Sequence, residues 1–304
     1  MQPERLISSG CKAFLSEDVY FAHPHYYGDC VLITRLGSFM APAIASLLIT
    51  FFVLDRYVLQ AFVLPALYGT KYTKMETRFQ RIFSITHLDW IVRLISLSTV
   101  SKGVFEVVFG GRHWSDSYFA DPSITHATLG DVASVAMYLV CAFKTFELLR
   151  AQDLKLLIVL HHVGTIVMIQ GFLSLAFNLP ENGLSTRFHS RTLADMFGFW
   201  VFFDGTLGVA SHLTLILRRG CSTQTELLYR FYDITYAASL LSTILEPIIV
   251  AYLLHLHWNR LSLTAHVVIS SLQVLFFFSK LKVCSRVGAA RKESQKATPP
   301  TEKN

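Results

Sequence analysis

The chain has 304 residues, 52% of them hydrophobic and only 16% charged, with a formal net charge of +6. A water-soluble domain carries about 25% charged residues, so this composition leaves too little polar surface to coat a globule in water. The basic excess does not point to nucleic acid, because Lys and Arg stand between apolar runs and in the C-terminal stretch, where the orientation signals of a membrane protein belong.

In chain order, residues 1–35 are mixed in character and include Pro3, Glu4, Glu17 and Asp18, so no cleavable signal peptide is expected and the first span serves as the insertion signal. Residues 36–78 hold that first span, Leu36–Leu54, and a shorter apolar stretch, Tyr57–Tyr68. The latter contains Pro65 and reads as a helix extension or interfacial segment. Residues 79–284 hold further runs of bilayer length: Trp90–Phe109, Leu129–Leu149, Leu154–Phe177, Leu193–Leu217, Tyr232–Leu254 and Leu263–Leu281. The short link at Ala151-Gln152-Asp153 makes the third and fourth spans neighbours. Residues 285–304 are basic and rich in polar residues, and read as a disordered tail. The expected fold is therefore all-α, a polytopic transmembrane helical bundle of about seven spans.

Lys and Arg in alternate connections divide 17 against 7, with Arg56, Lys71, Arg150, Arg218 and the tail on the richer side. That places the C-terminus in the cytosol and residues 1–35 on the opposite side. The five cysteines are scattered without paired spacing, which gives neither a metal motif nor a disulfide framework.

Ionisable groups inside a span are costly to insert, and each needs a reason. Asp89 and Arg93, like Lys102 and Glu106, are four apart and can pair on one helix surface. Lys144 and Glu147 can pair in the same way, or Lys144 can reach the interface. The fourth span has no such local remedy. It carries His161 and His162, about 100° apart around the helix, with Thr165 close to both and no acidic neighbour on the same helix. The fifth span carries Asp204 with Ser211 and His212 on one face, and no basic residue within a turn of Asp204. Its partner is expected to be a histidine of the fourth span, while Asp195 is read as a helix cap. In the sixth span, Asp233 is expected to pair with Arg230, and Glu246 precedes Pro247, which frees a backbone carbonyl.

A histidine held by a carboxylate can serve as general base or nucleophile, and the same groups can bind a lipid head. The sequence therefore nominates His161, His162 and Asp204 as the catalytic set. Thr165, His212, Glu246 and Lys144 would bind substrate. No metal is expected: the histidine clusters of di-iron lipid enzymes and the HExxH motif are both absent.

The segment YLVCAFKTFELLRAQDLKLLIVLHHVGTI resembles the core of the TLC domain family of membrane proteins. Glu147, Leu148, His161, His162 and Thr165 match its pattern, and RIFSITHLDWIVRLISL is similar to the helix that opens many fungal members. The resemblance covers roughly 79–284. It implies an endoplasmic-reticulum protein of lipid metabolism whose partner is a membrane lipid. If the chain acts as ceramide synthases do, acyl-CoA is a co-substrate for acyl transfer through the histidine pair, and no further cofactor is needed. The longer ceramide-synthase motif, with His-Asp and Ser-Asp after the pair, is not present; the next carboxylates are Asp195 and Asp204. Other members of the family act in lipid trafficking or membrane composition, so a non-catalytic lipid sensor or transporter is the alternative. A seven-span receptor is a third reading, and a homo-oligomer is compatible with all of them.

Overall fold

The structure, a computed structural model, describes residues 39–112, 114, 116–119, 127–151, 154–177, 183–220, 226–256, 258 and 263–297. For 108, 174–177, 183–195, 197, 226, 227 and 293–297 it describes the backbone alone. Among the described residues the regular structure is helical throughout: α1 (Met40–Val53), a π-helical stretch (Leu54–Val63), α2 (Leu64–Tyr68), α3 (Thr70–Thr73), α4 (Thr77–Val108), α5 (Leu129–Arg150), α6 (Leu156–Phe177), α7 (Gly183–Gly220), α8 (Glu226–Leu256) and α9 (Leu263–Ala297).

Local chemistry sets several of the boundaries. Pro65 stands at the second residue of α2, directly after the π-helical stretch. Gly69, at φ 53°, then breaks the chain direction before α3. Thr128 and Asp131 form a reciprocal capping box at the start of α5. Pro247 sits inside α8 without ending it and frees the carbonyl of Thr243.

Among the described residues, six helical segments are long and apolar enough to cross a membrane: Met40–Tyr68, Leu129–Arg150, Leu156–Leu173, Gly198–Gly220, Leu228–Leu256 and Leu263–Lys292. Large apolar side chains stand exposed along them, including Ile49, Phe62, Val167, Ile248 and Phe278. In water such a surface would drive aggregation, whereas lipid accepts it. The protein is thus a polytopic α-helical membrane protein. The short stretch after the first span does not lie apart, since the π-helical segment carries α1 without a break into α2.

The expected span Trp90–Phe109 is not among the six. It belongs to α4, which has 32 residues and is long enough, at about 48 Å. What lowers its hydropathy is a series of ionisable and polar residues, of which Asp89, Arg93 and Ser96, all buried, share one face. That face turns into the bundle, where α4 packs along α5 and α7.

Helix α5 is the centre of the fold. More than half of its span is buried (56%), against 22% for the spans of α1, α6 and α9. One side of it joins Phe51, Phe83 and Leu88 to Phe143 and Phe146, and the other packs Met137 and Cys141 against Ile169 and Leu173. The π-helical stretch is tied to this centre by Asp55, which is fully buried. Asp55 accepts from Ser84 Oγ at 2.6 Å, from Gln60 Nε2 at 2.9 Å and from Arg150 Nε at 3.2 Å. Opposite, Trp114 wedges between α4 and α7: a Cβ on Gly103 would stand 2.9 Å from its ring, and one on Gly198 3.2 Å.

Three expectations about chain ends and loops are corrected. The tail expected to be disordered from Arg286 is helical as far as Ala297, because α9 keeps its packing on α8: Arg291 Nε reaches Asp233 Oδ1 at 2.5 Å, and Gly288 lies under Tyr236. The same contact replaces the local Asp233–Arg230 pair. Helix α7 begins at Gly183, so Asp195 lies about three turns inside it and not at its N-terminus. Residues 1–35, with His23 and His25, and residues 298–304 lie outside the described residues.

Candidate functional site

Six helices, α4 to α9, line a partly open cavity of ≈ 50 Å³ within the bundle. That is several times the space one water needs, and too little for a whole lipid. The helical period decides which side chains enter it. Asp89, Arg93 and Ser96 lie at i, i+4 and i+7 on α4; His161 and Thr165 on α6, and Phe276 and Lys280 on α9, are four apart. Trp200 and Asp204 come from α7, Lys144 from α5 and Glu246 from α8.

Charge in the wall is balanced, with three carboxylates (Asp89, Asp204, Glu246) against three cations (Arg93, Lys144, Lys280). Arg93 is the hub. Its Nε donates to Asp89 Oδ1 at 2.8 Å, and its Nη1 donates to Asp204 Oδ2 at 2.6 Å and to the Asp204 carbonyl at 2.9 Å. A planar guanidinium bridges two carboxylates from donors fixed in one rigid fork, a geometry an ammonium does not reproduce. Behind it, His212 Nε2 lies 2.9 Å from Asp89 Oδ2, while His212 Nδ1 lies 2.8 Å from the Gly208 carbonyl oxygen. On α5, Lys144 donates to Glu147 Oε2 at 2.7 Å, and the same oxygen is 3.3 Å from His162 Nε2. At the far wall Lys280 donates to Glu246 and, at 3.2 Å, to Ser242 Oγ. Trp200 Nε1 donates to Gln273 Oε1 at 2.8 Å, and Gln273 Nε2 stands 3.5 Å from Glu246. An uncompensated charge at this depth would be expensive, and each carboxylate and each cation in the wall has a partner of opposite sign.

Glycine at 208 is a steric requirement of this hub. A Cβ there would stand 2.2 Å from Arg93 Nη1 and 2.5 Å from Arg93 Cδ. Gly208→Ala is therefore expected to push the guanidinium off Asp204 and to lower stability by about 1–3 kcal/mol. In an Arg93→Met background the shorter, flexible side chain should absorb most of that cost. Thermal unfolding of the purified variants measures both, and equal costs in the two backgrounds would remove Gly208 from the argument.

Five of the residues nominated from sequence line the cavity: His161, Asp204, Thr165, Glu246 and Lys144. His162 and His212 do not. The adjacent histidines part company because neighbours on a helix diverge by about 100°. His161 faces the cavity with its ring against Phe276, at 5.1 Å between centroids. His162 turns towards α5 and Glu147. His212 sits one layer out, on Asp89. The expected partnership of Asp204 with a fourth-span histidine is corrected: its partner is Arg93 on α4, a residue the sequence had assigned to a purely local pair. The Thr165 hydroxyl donates to the His161 carbonyl at 2.8 Å and not to either imidazole.

Sequence reasoning missed Lys280 as a member of the site because the apolar run ends beside it. It lies buried, in the wall of the cavity. Ser96 was missed too, and its spacing from Asp89 and Arg93 was the available signal. Among the described residues no group of histidine, cysteine and carboxylate side chains has the geometry to hold a metal ion.

Compared with known proteins, the chain matches no family model, no curated protein and no solved structure.

Proposed function

We propose that this membrane protein acts in lipid metabolism and that its intramembrane cavity receives the polar head of a membrane lipid, with His161 as the group the head meets. The observation that carries this reading is the state of His161. It faces a charged cavity, yet among the described residues neither ring nitrogen has a hydrogen-bond partner, and Nδ1 is buried. A buried polar atom without a partner costs roughly 1–3 kcal/mol, which a ligand hydrogen bond would relieve. The distribution of Lys and Arg and the TLC-like motif support an endoplasmic-reticulum protein with a cytosolic C-terminus.

The same imidazole supports a catalytic version. An unbonded nitrogen can take the proton from a lipid hydroxyl or amine as that atom bonds to the carbonyl carbon of an acyl-CoA thioester. The carbon–sulfur bond then breaks, and the imidazolium returns the proton to the departing thiolate. His161 would act alone in this step, because Asp204 is held by Arg93 and His162 faces Glu147. Without the transfer step the site serves lipid sensing or transport.

Rescue of cells lacking the protein, followed by lipidomics, separates the two histidines. His161→Ala is expected to fold normally and to leave the altered lipid class uncorrected. His162→Ala is expected to act through stability, lowering it by about 1–3 kcal/mol as its contact with Glu147 is lost. Full rescue by a stable His161→Ala protein would overturn the proposal. Purified protein given acyl-CoA and lipid tests the transfer: a product that His161→Ala abolishes supports catalysis, and no product from wild type leaves the binding reading alone.

A further inference from the structure

We infer that the head group taken by this cavity is a neutral, hydroxyl-bearing one, as in a diacylglycerol or a sterol, and carries neither a phosphate nor an ammonium. The inference rests on the cavity being a lipid site, and it comes from which wall atoms are already engaged. Arg93 is shared by Asp89 and Asp204, Lys144 is held by Glu147, and Lys280 by Glu246. A phosphate entering the cavity would bring negative charge beside Asp89, Asp204 and Glu246, and among the described lining residues each cation is already paired. An ammonium would face Arg93, Lys144 and Lys280 in the same predicament. Either ligand leaves an unpaired charge in surroundings of low dielectric, which costs several kcal/mol.

What the wall has to spare is neutral hydrogen-bonding capacity. Ser96 Oγ lines the cavity on a residue only 2% exposed and has no partner among the described residues. Among the described residues His161 Nδ1 is buried without a partner, and Nε2 makes no hydrogen bond. Asp204 is engaged through Oδ2 and its backbone carbonyl, and its side chain remains 37% exposed with Oδ1 unbonded. A lipid hydroxyl fits that set: it donates to Asp204 or His161 and accepts from Ser96, adding no charge. The volume of ≈ 50 Å³ admits such a head and leaves the hydrocarbon outside. The wall also carries apolar faces, Val92, Phe143, Met168 and Phe276 among them.

Full-length protein in nanodiscs can be photolabelled with three clickable lipids that share one diazirine-bearing acyl chain: a diacylglycerol, a phosphatidic acid and a long-chain primary amine. Labelled peptides are then mapped by mass spectrometry. The diacylglycerol probe is expected to label the cavity helices around Met168 and Phe276 by a factor on the order of ten or more over the other two, a preference of at least 1.4 kcal/mol. Ser96→Ala should cut that labelling severalfold without lowering thermal stability, since the hydroxyl it removes has no partner in the empty site. Cavity labelling by phosphatidic acid or by the amine at the level of the diacylglycerol, or labelling unchanged by Ser96→Ala, would overturn the neutral-hydroxyl assignment and leave the lipid site standing. If all three probes label only the outer helix faces, the lipid-site proposal falls, and this inference with it.

Discussion

Arg93→Met is expected to destabilise the protein by roughly 3–5 kcal/mol, because removing one member of a buried ionic set leaves the others uncompensated. Asp89 would suffer most. Its side chain is 4% exposed, and Arg93 is the cation in direct contact with it, with His212 against its other oxygen. Asp204, more exposed in the cavity, would lose the contact that fixes its orientation. Arg93→Lys should recover only part of the loss, since a single ammonium cannot bridge two carboxylates in the geometry of the guanidinium fork. Denaturation of the purified proteins in mild detergent reads the effect. If Arg93→Met unfolds like wild type, the hub assigned to this residue does not exist.

The Glu246–Lys280 pair gives the second large effect. Lys280→Met is expected to cost about 3–5 kcal/mol by stranding a carboxylate that is 1% exposed. Adding Glu246→Gln should return most of that, because an amide next to Gln273 and Ser242 carries no charge to strand. The pair is thus expected to be strongly non-additive in a double-mutant cycle, with a coupling of roughly 1–3 kcal/mol. Additivity within about 0.5 kcal/mol would show that the two side chains do not sense each other. The pair also holds a wall of the cavity: Glu246 faces Gln273, Gln273 receives the Trp200 indole N–H, and Trp200 packs on Phe276 at 5.5 Å. Loss of Glu246 should therefore also lower lipid labelling.

These effects follow from how an ion is accommodated at membrane depth. Each charge in the cavity wall is met from another helix or from its own next turn, and several pairs cross between helices. Such pairs fix helix rotation as much as they stabilise, because a rotated helix would present its charges to lipid. Gly208 serves the same end from the steric side, as the gap through which Arg93 passes along α7.

What was legible in the sequence was local. Apolar runs of bilayer length are set by residues adjacent in the chain, and they gave the helical membrane fold and most of the span positions within a few residues. Pairs one turn apart were legible for the same reason: Asp89–Arg93 at 2.8 Å and Lys144–Glu147 at 2.7 Å both form. The divergence of His161 and His162 could be foreseen from the helical period alone.

Which of the two histidines enters the cavity could not be foreseen, nor could any partner lying on another helix. Arg93 and Asp204 are 111 residues apart, Arg150 and Asp55 95, and Lys280 and Glu246 34. Each meeting depends on how two helices are rotated against each other, and that rotation is fixed by packing the whole bundle at once. The extension of α9 past its apolar run has the same origin, in the contact of Arg291 with Asp233. So does the inward turn of α4, whose polar face read in isolation as local pairing. Sequence determined that the chain is a bundle of membrane helices carrying buried ions, because burial in lipid is decided run by run. Only the tertiary structure decided that His161, Asp204, Arg93 and Ser96 share one cavity, because they come from three helices whose facing sides no local pattern encodes.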